Sequence, residues 1–415
     1  EHKAEVVRQV VEGEETEMVP ASILQQHADV EVVIDEIAGE KLTRVEAPWV
    51  VGQCEWTKKL VRKAVIWLCG KVDKPILKLT YQDYMKHSLA DMLDSLGKAY
   101  DQVNIEVFND MQHTISGWPG GKPNADDSTR PVPSLPHHKR VIIFSPHPDD
   151  DVISMGGTFI RLVEQGHDVH VAYQTSGNVA VHDDVVLQNV DTARELGLGD
   201  RYEDVKQTIE EKRRGEPEPR KLLDIKGAIR RAEARAAVRS FGLNPDTNAH
   251  FLNLPFYETG GIKKGELTSK DIDIIVKLLR EIRPHQIYAA GDLADPHGTH
   301  RVCTDAVFAA VDAEKENGAE WLKECRIWMY RGAWAEWEIE NIEMAVPFSP
   351  EELREKRNSI LKHQSQMESA PFLGNDERLF WQRSEDRNRG TAALYDSLGL
   401  ASYEAMEAFV EYIPL

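Results

Sequence analysis

The sequence predicts an α/β protein built on a mostly parallel sheet with helices on both faces. Five short apolar runs read as strands: 141–144 (VIIF), 168–173 (DVHVAY), 250–254 (HFLNL), 286–290 (QIYAA) and 326–330 (RIWMY). Helical patterns at 157–165, 184–196, 226–241, 269–282 and 300–316 fall between them. Strand–helix alternation of this kind builds a parallel sheet that is buried on both sides. Ligands of such sheets bind beyond the carboxyl ends of the strands, so the residues just after each run are the place to look for chemistry.

Ahead of that region the composition changes three times. Residues 1–46 read as a helix end, a short strand at 30–35 (VEVVID) and a polar helix. Residues 47–116 read as a smaller α/β module. It has an amphipathic helix at 54–69 (Leu60, Val61, Ala64, Val65, Leu68), strands at 76–79 and 105–108, and a helix at 88–100. Residues 117–138 carry prolines at 119, 123, 131, 133 and 136 and the pair Gly120–Gly121, which makes them a linker or an ordered irregular loop. The strand–helix region is then 139–415.

The 415 residues hold 50 Lys+Arg against 70 Asp+Glu, a net charge of −20, which argues against a nucleic-acid or anionic-membrane partner. With 41% hydrophobic residues the chain can bury a large core. Cys54, Cys69, Cys303 and Cys325 form no CxxC pair, a usage that suits a reducing cytoplasm. No run approaches the ~18 apolar residues of a membrane span, and no signal peptide is visible. The chain opens in charged, helix-like sequence without an initiator Met, and is expected to be a piece of a longer protein.

Two loops carry the chemistry. After the first strand comes Ser145-Pro146-His147-Pro148-Asp149-Asp150-Asp151, followed by Gly156-Gly157; after the fourth comes 291–300 (GDLADPHGTH). Both are dense in His and Asp. Zinc takes neutral imidazole and carboxylate donors, and a catalytic site keeps one position open. One His and one Asp from the first loop with one His from the second would make that set.

The strand–PHPDDD–GG segment and the later HGTH resemble the LmbE-like (PIG-L type) superfamily of zinc-dependent N-acetylglucosaminyl deacetylases, over roughly 139–370. Thr175-Ser176-Gly177, Arg230-Arg231-Ala232-Glu233 and Lys356…His363-Gln364-Ser365-Gln366 extend the match. The resemblance implies a Rossmann-like sheet with Zn2+ or another divalent metal held by His147, Asp150 and His300. It implies Asp149 as general base, and His297 as the residue that stabilises the oxyanion or assists proton transfer. Two departures stand out: Asp151 replaces a usual Glu, and Gly298-Thr299 replace Pro-Asp, which removes a carboxylate from the second loop. Arg230 and Arg231 either decorate a solvated helix face or hold substrate hydroxyls or a phosphate. His363 either bonds into the site or serves packing.

Other residues have plainer readings. Asp183 after His182 is expected to cap a helix, Trp334 and Trp337 to pack in the core or stack on a sugar, and His137-His138 to be solvated. A second resemblance covers 17–36, from Glu17-Met18-Val19-Pro20 through Ile34-Asp35-Glu36, which is similar to the carboxyl-terminal end of glucosamine-6-phosphate deaminase. It implies a deaminase–deacetylase fusion. The expectation is a cytoplasmic metal-dependent hydrolase acting on a small N-acetylglucosamine derivative, with a homo-oligomer left open. Two other functions stay open: an accessory portion of a glucosamine-6-phosphate deaminase, and a non-catalytic metal-containing sugar-binding domain.

Overall fold

The structure, a computed structural model, describes residues 3–198, 204–213, 216–261, 263–291, 298–332, 335–367 and 378–413. The chain divides into two compact units, one of Glu1–Gln112 with Asp396–Leu400 and one of His113–Tyr395 with Ala401–Leu415.

The first unit is helical: α1 (Ala4–Glu12), α2 (Thr43–Glu46), α3 (Lys58–Val72), α4 (Tyr81–Lys86), α5 (Ala90–Leu96) and α6 (Tyr100–Thr114). This corrects the expected α/β module at 47–116. Residues 105–108 read locally as a strand, yet Val103, Val107 and Met111 are buried four apart, the spacing of a helix face. The expected strand at 76–79 is a 3-10 turn at Ile76–Lys78. Residues 30–35 form no regular element; Val32 and Val33 are 52% and 86% exposed, and an apolar run without a pairing neighbour does not hold as a strand.

The second unit carries the expected sheet. Its strands are β1 (Arg140–Ser145), β2 (Asp168–Tyr173), β3 (Ala249–Phe251), β4 (Gln286–Ala290), β5 (Arg326–Tyr330), β6 (Met344–Phe348) and β7 (Ala405–Tyr412), in the order β3-β2-β1-β4-β5-β7-β6. The first five pair in parallel, and β7 runs antiparallel between β5 and β6. The helices are α7 (Asp150–Glu164), α8 (Asp183–Glu195), α9 (Val205–Glu210), α10 (Arg220–Ser240), α11 (Pro245–Asn248), α12 (Ser269–Ile282), α13 (Thr299–Glu316), α14 (Pro350–Ile360) and α15 (Phe380–Ser397).

Alternation along β1 shows why both faces are covered. Ile142 and Phe144 pack with Ile275, Leu279 and Val307, whereas Val141 and Ile143 pack with Phe159, Leu162 and Val238. The strand order runs outward from β1 in one direction and from β4 in the other. That switch point opens a crevice between the carboxyl ends of β1 and β4.

Of the two readings of 117–138, the structure favours an ordered irregular loop. Val132 is buried in the sheet's core, and Gln286, Arg326 and Lys139 donate to the carbonyls of Pro119, Pro131 and Pro133 at 2.7–2.8 Å. No helix among the described residues is long and apolar enough to cross a membrane.

Candidate metal centre

The loop after β1 is fastened before it turns into α7. Ser145 Oγ donates to the His147 carbonyl at 2.6 Å and accepts from the Asp151 N–H at 3.1 Å. Thr175 fixes Pro146 by donating from N–H and Oγ to its carbonyl, at 3.1 and 2.8 Å. Asp151 points beneath the loop, fully buried, and accepts from Tyr173 OH at 3.0 Å. Burial pushes its carboxyl up to about 7, against the Tyr173 bond that favours the anion.

Above the loop, His147, Asp150 and His300 meet. Asp150 Oδ2 lies 3.3 Å from both His147 Nδ1 and His300 Nε2, and those two nitrogens are 3.3 Å apart. Such a triangle suits a metal. Ligands about 2.0–2.1 Å from a tetrahedral zinc stand about 3.3–3.4 Å from one another. Two imidazoles and one carboxylate are also the donor types of catalytic zinc sites. Burial opposes the Asp150 charge, but the two histidines beside it and their hydrogen bonds hold its carboxyl well below the usual range. His300 is delivered by the first turn of α13, which Gly298 enters at φ +69°. A proline, with φ fixed near −65°, cannot stand there, so Gly in place of Pro follows from the backbone of this loop. His297, expected beside the metal, lies outside the described residues.

Asp149, which feels the charges of its neighbours Asp150 and His147, pairs with Arg230 on α10: Nη2 to Oδ1 is 3.0 Å, with side chains 2% and 9% exposed. Burial raises the Asp149 carboxyl, and the Arg230 charge works against that rise. Arg230 is therefore not a solvated surface residue. Its Nε and Nη1, and both ring nitrogens of the fully buried His363, have no hydrogen-bond partner among the described residues. Arg231, the next residue along, is half-buried. Glu233 accepts from Ser365 N–H and Oγ, both at 2.7 Å, which ties the turn carrying His363 to α10 and joins two motifs far apart in sequence. Gly177 takes φ +61°, and a Cβ there would lie 3.1 Å from both Arg230 Nε and Pro148 Cδ.

Sequence reading missed the residues after β3. The ring of Tyr257 meets the His147 ring at 5.8 Å, and Lys264 Nζ stands 3.5 Å over the Tyr257 ring. Glu258 accepts from Ser176 N–H at 3.1 Å and Asn178 Nδ2 at 3.3 Å. Their position after a strand end was the available signal. Asp183 does not cap α8; it pairs with Lys212 and Lys226 at 2.8 and 2.9 Å. Trp337 packs on Gly291 and donates to the Met329 carbonyl at 3.1 Å, whereas Trp334 lies outside the described residues.

A second group, His137, His138 and His167, also brings ligand atoms within 4.8 Å. There His167 Nδ1 accepts from the Lys139 N–H at 3.0 Å, so its Nε2 carries the ring proton and offers no lone pair.

The switch-point sheet thus brings together a His-x-x-Asp from the turn after β1 and a His from the first turn of α13, a set that could hold a metal ion. Residues 142–311 match the GlcNAc-PI de-N-acetylase family, and the chain carries a PIG-L (LmbE-like) domain there. Over 425 aligned residues it is 63% identical to a glucosamine-6-phosphate deaminase-like protein of Bacteroides thetaiotaomicron, a match that takes in 100% of this chain and 64% of that relative's length. It is 50% identical over 42 residues to the glucosamine-6-phosphate deaminase of Lactobacillus helveticus, covering 10% of this chain and 18% of the deaminase. Among solved structures, N,N'-diacetylchitobiose deacetylase from Pyrococcus horikoshii aligns at 19% identity with a TM-score of 0.42, over 66% of this chain and 84% of that one.

Proposed function

We propose that the second unit hydrolyses the acetamide of an N-acetylated amino sugar with the help of a divalent cation, zinc fitting the donor set. The single observation that carries this reading is the 3.3 Å triangle of His147, Asp150 and His300, next to which in the chain stands Asp149, buried and paired with Arg230. When bound, the cation supplies Lewis-acid polarisation of the acyl carbonyl and acidifies water. Asp149 takes the proton of the attacking water, and Arg230 holds that carboxylate in place. The proton passes to the leaving amine from Asp149 or His297, as the C–N bond breaks and acetate departs. His297, three residues before His300, is assigned to the oxyanion. The unpartnered donors of Arg230 and His363 are assigned to substrate hydroxyls.

The names of the relatives support placing this step before a deamination, with N-acetylglucosamine 6-phosphate as substrate. With Arg230 holding Asp149 and its remaining donors assigned to hydroxyls, the phosphate contact is assigned to Arg231 or to Lys264, which is half-buried beside Tyr257. The test is metal analysis of the purified chain together with acetate release from plain, 1-phosphorylated and 6-phosphorylated N-acetylglucosamine. Metal at about one ion per chain with acetate released from a sugar supports the reading. Ammonia release from glucosamine 6-phosphate without acetate release from any sugar favours the deaminase-accessory alternative instead.

A further inference from the structure

Helix α7 is two helices joined at Met155, whose φ −140° and ψ 27° leave the helical region. A helix break strands carbonyls at the end of the first piece and N–H groups at the start of the second. Here a buried charge meets each set. Arg387 on α15, its side chain 7% exposed, donates to the carbonyls of Ser154 at 2.9 Å and Ile153 at 3.3 Å; Ser384 Oγ adds a bond to Ile153 at 2.7 Å. Glu407 on β7 accepts from the N–H groups of Gly157 at 3.0 Å and Thr158 at 2.6 Å. Lys356 neutralises Glu407 at 2.7 Å, both side chains being 1% exposed. A cation at a carboxyl end and an anion at an amino end is the favourable sense for both helix dipoles.

The paired glycines belong to this junction. A Cβ on Gly156 would come within 2.9 Å of Lys356 Cγ, and one on Gly157 within 2.9 Å of the Phe348 ring. Their place in the sequence motif is thus explained by packing at the break and needs no contact with a ligand. The turn Asp150–Ser154 is consequently a separate piece, free of the long axis of α7 and fixed from below by Arg387.

We propose that Arg387 is a positioning residue for the metal triangle: by holding the carboxyl end of this turn it sets where Asp150 Oδ2 stands relative to His147 and His300. The proposal rests on the metal reading of that triangle, and its test separates the two. The metal-stripped full chain is titrated with Zn2+ against a chromophoric chelator, for wild type, Arg387→Met, Arg387→Lys and Arg161→Met, with the Tm of each metal-free protein alongside. Arg161 lies on α7 beyond the break and pairs with Glu352 at 2.8 Å, so its loss costs stability without touching the turn.

Arg387→Met is expected to bind Zn2+ about 10–100-fold more weakly, the usual cost of losing support behind a ligand. Arg387→Lys, which keeps the charge and can reach one carbonyl, loses less and carries the test if Arg387→Met fails to fold. Arg161→Met keeps wild-type affinity even where its Tm falls. Folded Arg387 variants with wild-type Zn2+ affinity, or an equal weakening in Arg161→Met, would overturn the assignment. A wild-type chain that binds no Zn2+ overturns the metal reading itself, and this proposal with it.

Discussion

Asp149, Asp150 and Asp151 stand side by side and meet three different surroundings. Asp149 faces Arg230, Asp150 faces two imidazoles, and Asp151 faces Tyr173 beneath the loop. A run of three aspartates cannot announce this, because what separates them is supplied by β2, α10 and α13. Asp150→Ala removes the anionic donor from the triangle and is expected to leave the purified chain without bound metal; Asp151→Asn, out of reach of the triangle, is expected to retain it. Metal content after gel filtration reads both, and equal retention by the two variants would refute the division of roles. Gly298 gives a backbone test at the same scale. Gly298→Pro cannot reach φ +69° and should abolish metal retention, whereas Gly298→Asn, a residue that visits the left-handed region, should keep it.

At the scale of elements, the parallel strands were legible because the central ones, β1 and β4, are buried on both faces and read as short apolar runs between helical patterns. The antiparallel pair β6 and β7 was not: β7 interleaves Glu407 and Glu411 with apolar residues, and Glu407 is there to serve the break in α7. The first unit was misread where short windows hid a longer helical period, as at Val103, Val107 and Met111. The weak Arg–Glu and His–Gln motifs gain meaning only from the Glu233–Ser365 contact, which sequence spacing does not show. The turn after β2 offers a controlled prediction. Gly177→Ala carries the left-handed penalty of roughly 1–2 kcal/mol and also presses on Arg230 and Pro148, so it should lower both stability and acetate release. Gly197→Ala, at φ +75° with nothing within 4 Å, should show the stability loss alone. Denaturation and turnover of the two variants check this, and unaltered turnover in Gly177→Ala would count against it.

For the molecule as a whole, the net charge of −20 means that an anionic substrate must find a local cation. Lys264→Met is therefore expected to raise KM for the 6-phosphorylated sugar while leaving the plain sugar unchanged; a KM shift shared by both sugars would rule Lys264 out as the phosphate contact. The deaminase-like matches extend over 18% of the Lactobacillus helveticus enzyme, and this chain by itself is expected to convert no glucosamine 6-phosphate to fructose 6-phosphate. In the proposed reaction Asp149 is the base beside a metal held by His147, Asp150 and His300. The most direct measurement is metal content and acetate release for wild type and Asp149→Asn. Asn keeps the size and hydrogen bonding of Asp but cannot accept the proton, so kcat should fall about 10²–10⁴-fold with bound metal near wild type. Loss of the metal in Asp149→Asn, or near-normal turnover with it retained, would rule out Asp149 as that base.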